Sequence, residues 1–294
     1  MDSVDSQESD SGRTTAKTIA MTVDEDLLWT IDDKGVARLT LNRPDAANAI
    51  TPDQRNRTIE LLEGASNDLN VRVVIITAAG ERHFCTGADL RVSTIPVNPG
   101  PADAPAKVLG DVGRNIKRGA QRLIGAIMDC EKPVIAAVNG TAAGIGAHIA
   151  FASDLVIAAD NAKFIEVFVR RGITPDGGGA YMLPRLIGMQ KAKELIFFGD
   201  DIRATEAERL GLVNKVVPQA ELETAATQWA ERLAESPTRA LMLSKWLLNR
   251  SLDSNRLGAF EDEAWAQEMA SYTQDFQEGV AAFKERREVE YRGW

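Results

Sequence analysis

Three short and almost uninterrupted apolar segments constrain the fold of this chain more than any other feature. They are VRVVIIT at residues 71–77, PVIAAV at 133–138 and DLVIAA at 154–159. Strands that are apolar along their whole length are typical of parallel sheets buried on both faces. Because patterns of helical length alternate with these strands, we expect right-handed crossovers and an α/β fold.

The two ends of the chain differ from this central part. The N-terminal stretch is polar and acidic, with no apolar run that would suit a signal peptide or a membrane helix. A β-hairpin follows, since apolar segments at 28–31 and 36–41 flank the turn DDKG. From residue 221 the pattern is wholly helical. We therefore divide the chain into a disordered tail at 1–24, an α/β core at 25–220 and a helical region at 221–294.

Composition argues against several classes of partner. A formal net charge of −9 over 294 residues disfavours nucleic acids and anionic membranes, because both require a broad basic face. The two cysteines, Cys85 and Cys130, form no CxxC motif, and the two histidines are too few for a His-rich metal site. We expect neither a metal nor a disulfide framework, and a reducing, cytoplasmic location.

Two loops rich in small residues follow the first two apolar segments. The first reads HFCTGADL at residues 83–90, and the second reads AVNGTAAGIGAH at 137–148. Small side chains let a ligand approach the backbone closely. The second loop also leads into a helix, whose first N–H groups are free to bind negative charge. A tight turn with close helix–strand packing is the alternative interpretation of either loop alone.

Together with further motifs in the same order and spacing, these loops resemble the enoyl-CoA hydratase/isomerase (crotonase) superfamily. The further motifs are LNRP at 41–44, GITPDGG at 172–178, LPRL at 183–186, GLVNKVVP at 211–218 and EGVAAFK at 278–284. The resemblance implies a crotonase-like spiral of ββα units with a C-terminal helical trimerisation region. It also implies an enzyme, a homotrimer or hexamer, that acts on an acyl-CoA thioester. Coenzyme A would then be part of the substrate, and no separate cofactor is expected.

By position, the resemblance implies that the backbone amides of Ala88 and Ile145 form an oxyanion hole. Removing an α-proton from a thioester, or attacking its β-carbon, places negative charge on the carbonyl oxygen. Two preorganised donors stabilise that charge, and each is worth roughly 3–4 kcal/mol. The neighbouring residues Asp89, Leu90 and Gly144 are candidates for substrate binding.

The chain departs from the water-adding members of this family, which use two glutamates. His148 and Phe168 stand at those two positions, so that ordinary hydration lacks the groups that position water and move its protons. The motifs are closest to those of epoxyphenylacetyl-CoA isomerase-like and dienoyl-CoA isomerase-like members. We therefore favour isomerisation of a double bond or a ring. A hydratase with non-standard groups, a thioester or carbon–carbon hydrolase, and a non-catalytic acyl-CoA-binding protein are the alternatives.

Asp176 and His148 are the candidates for proton transfer. Dienoyl-CoA isomerases carry a catalytic aspartate at the position of Asp176, although the same side chain could cap the following helix. His148 lies three residues after Ile145 on one helix, and an imidazole titrates near neutral pH; a packed core histidine is the alternative. If residues 164–168 are extended, Glu166 shares a face with Phe168 and could supply a displaced carboxylate. A surface or salt-bridged glutamate is the alternative there.

The phosphates of coenzyme A call for basic residues. By resemblance, Arg43 and Lys284 are the candidates, the latter from the C-terminal helix of a neighbouring subunit, and Ala46 follows in the same turn as Arg43. Phe168 is a candidate for contact with the acyl group. For both basic residues, ordinary surface charge is the alternative.

Overall fold

The computed structural model describes residues 19–20, 25–92, 101, 103, 105 and 108–294. Most of the predicted acidic tail lies outside these residues. The strands are β1 Ile19–Ala20, β2 Leu27–Ile31, β3 Val36–Leu41, β4 Val73–Ala78, β5 His83–Cys85, β6 Val134–Val138, β7 Thr141–Ala143, β8 Leu155–Ala159, β9 Lys163–Ile165, β10 Asp201–Arg203 and β11 Lys215–Val217. The helices are α1 Pro52–Asn67, α2 Asp111–Arg118, α3 Ala120–Asp129, α4 Ile145–Ala152, α5 Gly179–Ile187, α6 Met189–Phe198, α7 Ala204–Leu210, α8 Leu222–Ala234, α9 Thr238–Ser251, α10 Arg256–Ser271 and α11 Gln274–Glu285.

The strands form two sheets that wind together. The larger has the order β1-β2-β3-β4-β6-β8-β11, and the smaller has the order β10-β9-β7-β5. β2 and β3 are the predicted antiparallel hairpin, and pairing from β3 through β4, β6 and β8 to β11 is parallel. Each of β4, β6 and β8 is followed by a short strand of the smaller sheet and then by a helix. This repeat is a spiral of ββα units, which confirms the predicted fold class.

The parallel strands are apolar throughout because both faces of the larger sheet are covered. Side chains alternate between the faces along each strand. On one face, Ile75, Ile135 and Ile157 pack against helix α8. On the other, neighbours such as Ile76 and Ala136 belong to the main core. The strands begin one or two residues later than predicted. Asp154, just before β8, is a structural hydrogen-bond acceptor. Its carboxylate accepts from the Val134 amide and pairs with Lys245 at 2.8 Å.

Helix α4 lies directly against the first small-residue loop because Gly146 has no side chain. A Cβ atom at this position would be 2.0 Å from the carbonyl oxygen of Cys85. Since both groups belong to the backbone, neither can move aside cheaply. Only a glycine at position 146 lets the two loops approach each other.

We therefore expect Gly146→Ala to lower the free energy of unfolding by at least about 1–3 kcal/mol. Gly64 in α1 is the matched control, because a Cβ there meets nothing within 4 Å. Alanine at position 64 should raise stability by roughly 0.5–1 kcal/mol. Urea denaturation of the two variants measures both effects. Equal stability of the two would show that the contact between α4 and the loop relaxes freely.

The C-terminal helices α9, α10 and α11 leave many large apolar side chains exposed. They include Trp246, Leu248, Leu257, Phe260, Trp265, Met269, Tyr272 and Phe283. Single exposed apolar residues are ordinary, whereas a set of this size is typical of an interaction surface. Over the described residues, no helix is both long and apolar enough to cross a bilayer.

Candidate active site

A cavity, partly open to solvent, lies where the two small-residue loops meet. Its walls come from the first loop, the start of α4, the 3₁₀ helix Val167–Arg171 and the segment before α5. Among the residues predicted from sequence, the lining contains Ala88, Leu90, Gly144, Ile145, Phe168 and Asp176. Residues far apart in sequence thus share one cavity.

The amide of Ala88 is turned towards the cavity side of the first loop by its neighbours. Ile50 donates to the Gly87 carbonyl at 2.9 Å, and Asp89 donates to the Ile50 carbonyl at 2.9 Å. Backbone N–H groups alternate in direction along such an extended segment, so the Ala88 N–H points away from Ile50. In the part of the chain that the structure describes, this amide donates no backbone hydrogen bond.

The amide of Ile145 is available because it is the first of helix α4. Helix starts leave their first N–H groups without an intrahelical acceptor. The next recorded bond runs from His148 to the Gly144 carbonyl at 3.1 Å, and no described backbone acceptor receives the Ile145 N–H. Gly144 makes the turn into the helix with φ of +55°, a conformation that favours glycine. Two unbonded amides therefore reach one cavity.

His148 lies behind the cavity wall rather than in it. Its side chain is 0% exposed, stacks on Phe168 with ring centroids 5.2 Å apart, and is absent from the cavity lining. Its Nε2 is 3.2 Å from Oε2 of Glu166, which is itself buried. The sequence did not anticipate this pair, because helix α4 is buried on every side.

The condition under which Glu166 and Phe168 would share a face, an extended segment at 164–168, is not met. Strand β9 ends at Ile165, and Val167–Arg171 forms a 3₁₀ helix. Glu166 is therefore a buried partner of His148, neither a surface residue nor part of the described cavity lining. Among the described residues, Oε1 of Glu166 and Nδ1 of His148 have no hydrogen-bond partner. Each residue of the pair thus has one buried polar atom that forms no hydrogen bond with the described part of the protein.

Glycines in the PDGGG segment let the chain lie against the His148 ring. A Cβ at Gly177 would be 3.0 Å from Nδ1, and a Cβ at Gly179 would be 2.3 Å from Nε2. Asp176 precedes this close approach and lines the cavity. The helix-cap alternative for Asp176 is wrong, since α5 begins at Gly179 and its N-cap residue is Gly178.

Burial raises the pKa of Asp176, and the neighbouring imidazole of His148 opposes that shift. A carboxyl whose pKa is raised is a stronger base once ionised, which suits proton abstraction near neutral pH. Perturbed carboxyls in clefts are candidates for function on these physical grounds. Asp176 therefore lies in the cavity wall and has the raised pKa that suits a general base.

Arg43 and Asp89, both predicted to contact the substrate, form an ion pair with each other. Asp89 is 3% exposed and forms ion pairs with Arg91 at 2.8 Å and Arg43 at 3.1 Å. These arginines, Arg91 foremost, hold the pKa of Asp89 well below its usual range. Arg43 also donates to the Ala49 carbonyl. Arg43 thus has internal partners in this structure, and its contact with a phosphate of coenzyme A stays a prediction.

The other predicted contacts lie apart from the cavity lining. Ala46 ends the 3₁₀ turn Pro44–Ala46, and Lys284 is exposed near the end of α11. Within one protomer, neither lines the described cavity. Sequence reasoning missed the two basic residues of the described cavity lining, Arg55 and Arg171. The position of Arg55 could have been noticed in the sequence, because it lies on the buried face of α1, where a charged side chain is unexpected.

The bond between His148 and Glu166 should be visible in stability. We expect Glu166→Leu to be less stable than Glu166→Gln by about 1–3 kcal/mol, because leucine leaves a buried imidazole nitrogen without an acceptor. Glutamine keeps an acceptor of similar size and is the matched control. Urea denaturation at neutral pH measures the difference. A leucine variant as stable as the glutamine variant would mean that the bond contributes nothing.

Comparison with known proteins shows the family of this chain. The family model described as enoyl-CoA hydratase/isomerase matches residues 32–293. The 1,2-epoxyphenylacetyl-CoA isomerase of Escherichia coli K12 is 37% identical over 263 residues, covering 89% of this chain and 96% of that protein. The short-chain-enoyl-CoA hydratase of Clostridium acetobutylicum is 39% identical over 261 residues, covering 87% and 93%.

A solved structure shows the same fold. The enoyl-CoA hydratase of Bacillus anthracis superimposes with a TM-score of 0.82 at 33% identity, covering 92% of this chain and 100% of that one. These matches extend over the hairpin, the ββα spiral and the C-terminal helices, and they confirm the resemblance found in the sequence motifs. This chain belongs to the enoyl-CoA hydratase/isomerase family and is an enzyme of that family.

Proposed function

We propose that this enzyme isomerises a double bond or a ring in an acyl-CoA through an enolate. The amides of Ala88 and Ile145 bind the thioester oxygen, and Asp176 moves the proton. The observation that carries the proposal is the shared cavity. Both amides and one carboxyl of raised pKa line it together.

The chemistry follows from what each group does. Loss of an α-proton leaves charge on the thioester oxygen, and two fixed N–H donors in a largely apolar cavity stabilise that charge. A base on the acyl side must take the proton and return it elsewhere. Asp176 is the sole carboxyl residue in the described lining, and one carboxylate suffices for such a transfer.

Isomerisation is favoured over hydration because the water-positioning glutamates are replaced. Phe168 is apolar, and His148 is buried behind it in a pair with Glu166. In this proposal His148 opposes the rise in the pKa of Asp176 and does not contact the substrate. The isomerase relative from E. coli fits this assignment. The hydratase relative from C. acetobutylicum keeps hydration as the second candidate.

The test is exchange of substrate protons. In deuterated water, the protein should catalyse the incorporation of deuterium into saturated and unsaturated acyl-CoAs at the carbon next to the thioester. Mass spectrometry of the acyl-CoA measures this incorporation. An isomer whose mass differs from that of the substrate only by the deuterium exchanged supports the proposal. A gain of one deuterated water identifies a hydratase, and free coenzyme A identifies a hydrolase. Binding without exchange or product identifies a non-catalytic acyl-CoA-binding protein.

We also propose that the enzyme is a homotrimer or a hexamer. The exposed apolar side chains of α9, α10 and α11 support it, because monomers rarely leave so many uncovered. A Lys284 contact with coenzyme A would then come from a neighbouring subunit. Light scattering in solution should give a mass of three or six chains, and a monomer would remove this source of a basic residue.

A further inference from the structure

We propose that Arg55 and Arg171 bind an anionic group on the acyl part of the substrate, so that the enzyme prefers thioesters whose acyl chain ends in a carboxylate. This inference rests on the proposed function, because it assumes that the cavity holds an acyl-CoA. Both arginines line the cavity that contains the Ala88 and Ile145 amides. A largely apolar cavity that contains two cations and one carboxyl favours a ligand with an anionic group.

Arg55 is placed in the cavity by helix α1. It lies one helical turn before Thr58 and Ile59, both of which are buried, so its side chain starts on the buried face. The guanidinium donates to Oδ1 of Asn56 at 3.0 and 3.2 Å, and no ion pair is recorded for it among the described residues. Burial lowers the pKa of Arg55, with Asp53 opposing the shift. A partly buried cation without a carboxylate partner gains most from an anionic ligand.

Room for this guanidinium exists because the chain has a glycine opposite it. Gly119 lies between helices α2 and α3, and a Cβ there would be 2.5 Å from Nη1 of Arg55. Any other residue at position 119 would push the guanidinium aside. The next residue, Ala120, and Leu123 line the same cavity. The charge is thus accommodated where the wall is otherwise apolar.

Arg171 also lines the cavity, and this residue is exposed to solvent. It ends the 3₁₀ helix Val167–Arg171, three residues after Phe168. The adjacent Arg170 is 3.9 Å from Asp200, whereas no ion pair is recorded for Arg171 among the described residues. No hydrogen bond or ion pair joins Asp176 to either arginine in that part of the chain. Two cations of this cavity therefore lack an internal counter-ion.

The covalent order of an acyl-CoA assigns the ligand charge to the acyl chain. The phosphates of coenzyme A are separated from the thioester by the whole pantetheine arm, whereas these arginines share a cavity with the amides proposed to bind the thioester oxygen. A terminal carboxylate suits the bidentate donors of a guanidinium.

The test compares enoyl-CoA pairs of four to eight acyl carbons, one member ending in a carboxylate and the other in the neutral carboxamide. We expect kcat/KM to favour the carboxylate by about 10- to 100-fold at the preferred length. In Arg55→Gln and Arg171→Gln that preference should fall below about 3-fold, with the carboxamide little changed. Arg170→Gln is the matched control and should keep the preference. Dissociation constants from calorimetry provide a readout that does not need turnover.

Each outcome decides one question. Equal kcat/KM for the two members at every length overturns the arginine assignment and leaves the proposed function standing. If both variants weaken both members equally, and acyl-pantetheine thioesters lacking the phosphates escape that loss, the arginines bind coenzyme A and the assignment is overturned. If nothing is turned over, yet the carboxylate binds more tightly and the variants remove the difference, the proposed function fails and the assignment stands.

Discussion

Proline at position 145 should lower kcat by about 100- to 1,000-fold on any acyl-CoA that the enzyme turns over, the loss typical of removing one oxyanion donor. Ile145 is the first residue of helix α4, and its amide is one of the two donors proposed for the thioester oxygen. Proline has no N–H, yet its fixed φ is compatible with the first position of a helix. The substitution therefore removes the donor while sparing the helix.

The Ile145 side chain needs its own control, because it is buried and its Cδ1 lies close to Gly177. Ile145→Val keeps the amide and loses one methyl group, a change that typically costs about 0.5–1.5 kcal/mol of stability. It should keep kcat within a few-fold of the parent value. Steady-state kinetics and thermal unfolding of both variants separate the donor from the packing. A proline variant as active as the valine variant would remove Ile145 from the oxyanion hole.

The fold was predictable because its signals are local and repeated. Continuous apolar strands indicated a sheet buried on both faces, and β4, β6 and β8 occupy the centre of the parallel array. The DDKG turn predicted the hairpin of β2 and β3. The short strands β5, β7 and β9 were not predicted as separate elements. Each has three residues, too few for an alternating pattern to appear.

Within the candidate site, backbone features were easier to predict than side-chain positions. The family resemblance assigned Ala88 and Ile145 to one oxyanion hole, and both line one cavity; a backbone donor depends little on which side chain its residue carries. His148 was harder, since a position three residues after Ile145 defines a helix face but not what covers it. In α4 every residue is buried. A helix without an exposed face gives no periodic signal of direction.

Long-range charge pairing was the least accessible part of the site. Glu166 reaches His148 because β9 ends at Ile165 and the chain turns into a 3₁₀ helix. No sequence pattern marks this change from strand to helix. By resemblance, Arg43 was a candidate for binding a phosphate of coenzyme A, and Asp89 was separately a candidate for binding substrate. The two residues are bonded to each other at 3.1 Å. Pairing between residues 46 positions apart cannot be read from local spacing.

Asparagine at position 176 should lower the rate of isomerisation, or of deuterium exchange, by about 100- to 10,000-fold, the range lost with a general base. Asparagine keeps the size of the side chain and cannot accept the proton. In the parent enzyme, kcat/KM should fall as the pH drops through the raised pKa of Asp176, because the carboxylate form is the base. The Asp176→Asn variant should lose this dependence. Asp33→Asn, in the exposed β2–β3 turn, is the control expected to leave activity and its pH profile unchanged.

Stability distinguishes a catalytic Asp176 from a structural one. Because burial raises its pKa in the folded chain, the neutral acid is the form that folding favours. Its favourable contribution is present below the unfolded pKa and is lost as the pH rises through the folded pKa. At neutral pH the ionised side chain therefore costs stability, and Asp176→Asn should raise the melting temperature modestly while activity collapses. A variant that loses both would indicate a structural carboxylate, and one that keeps its activity would place the proton transfer on another group.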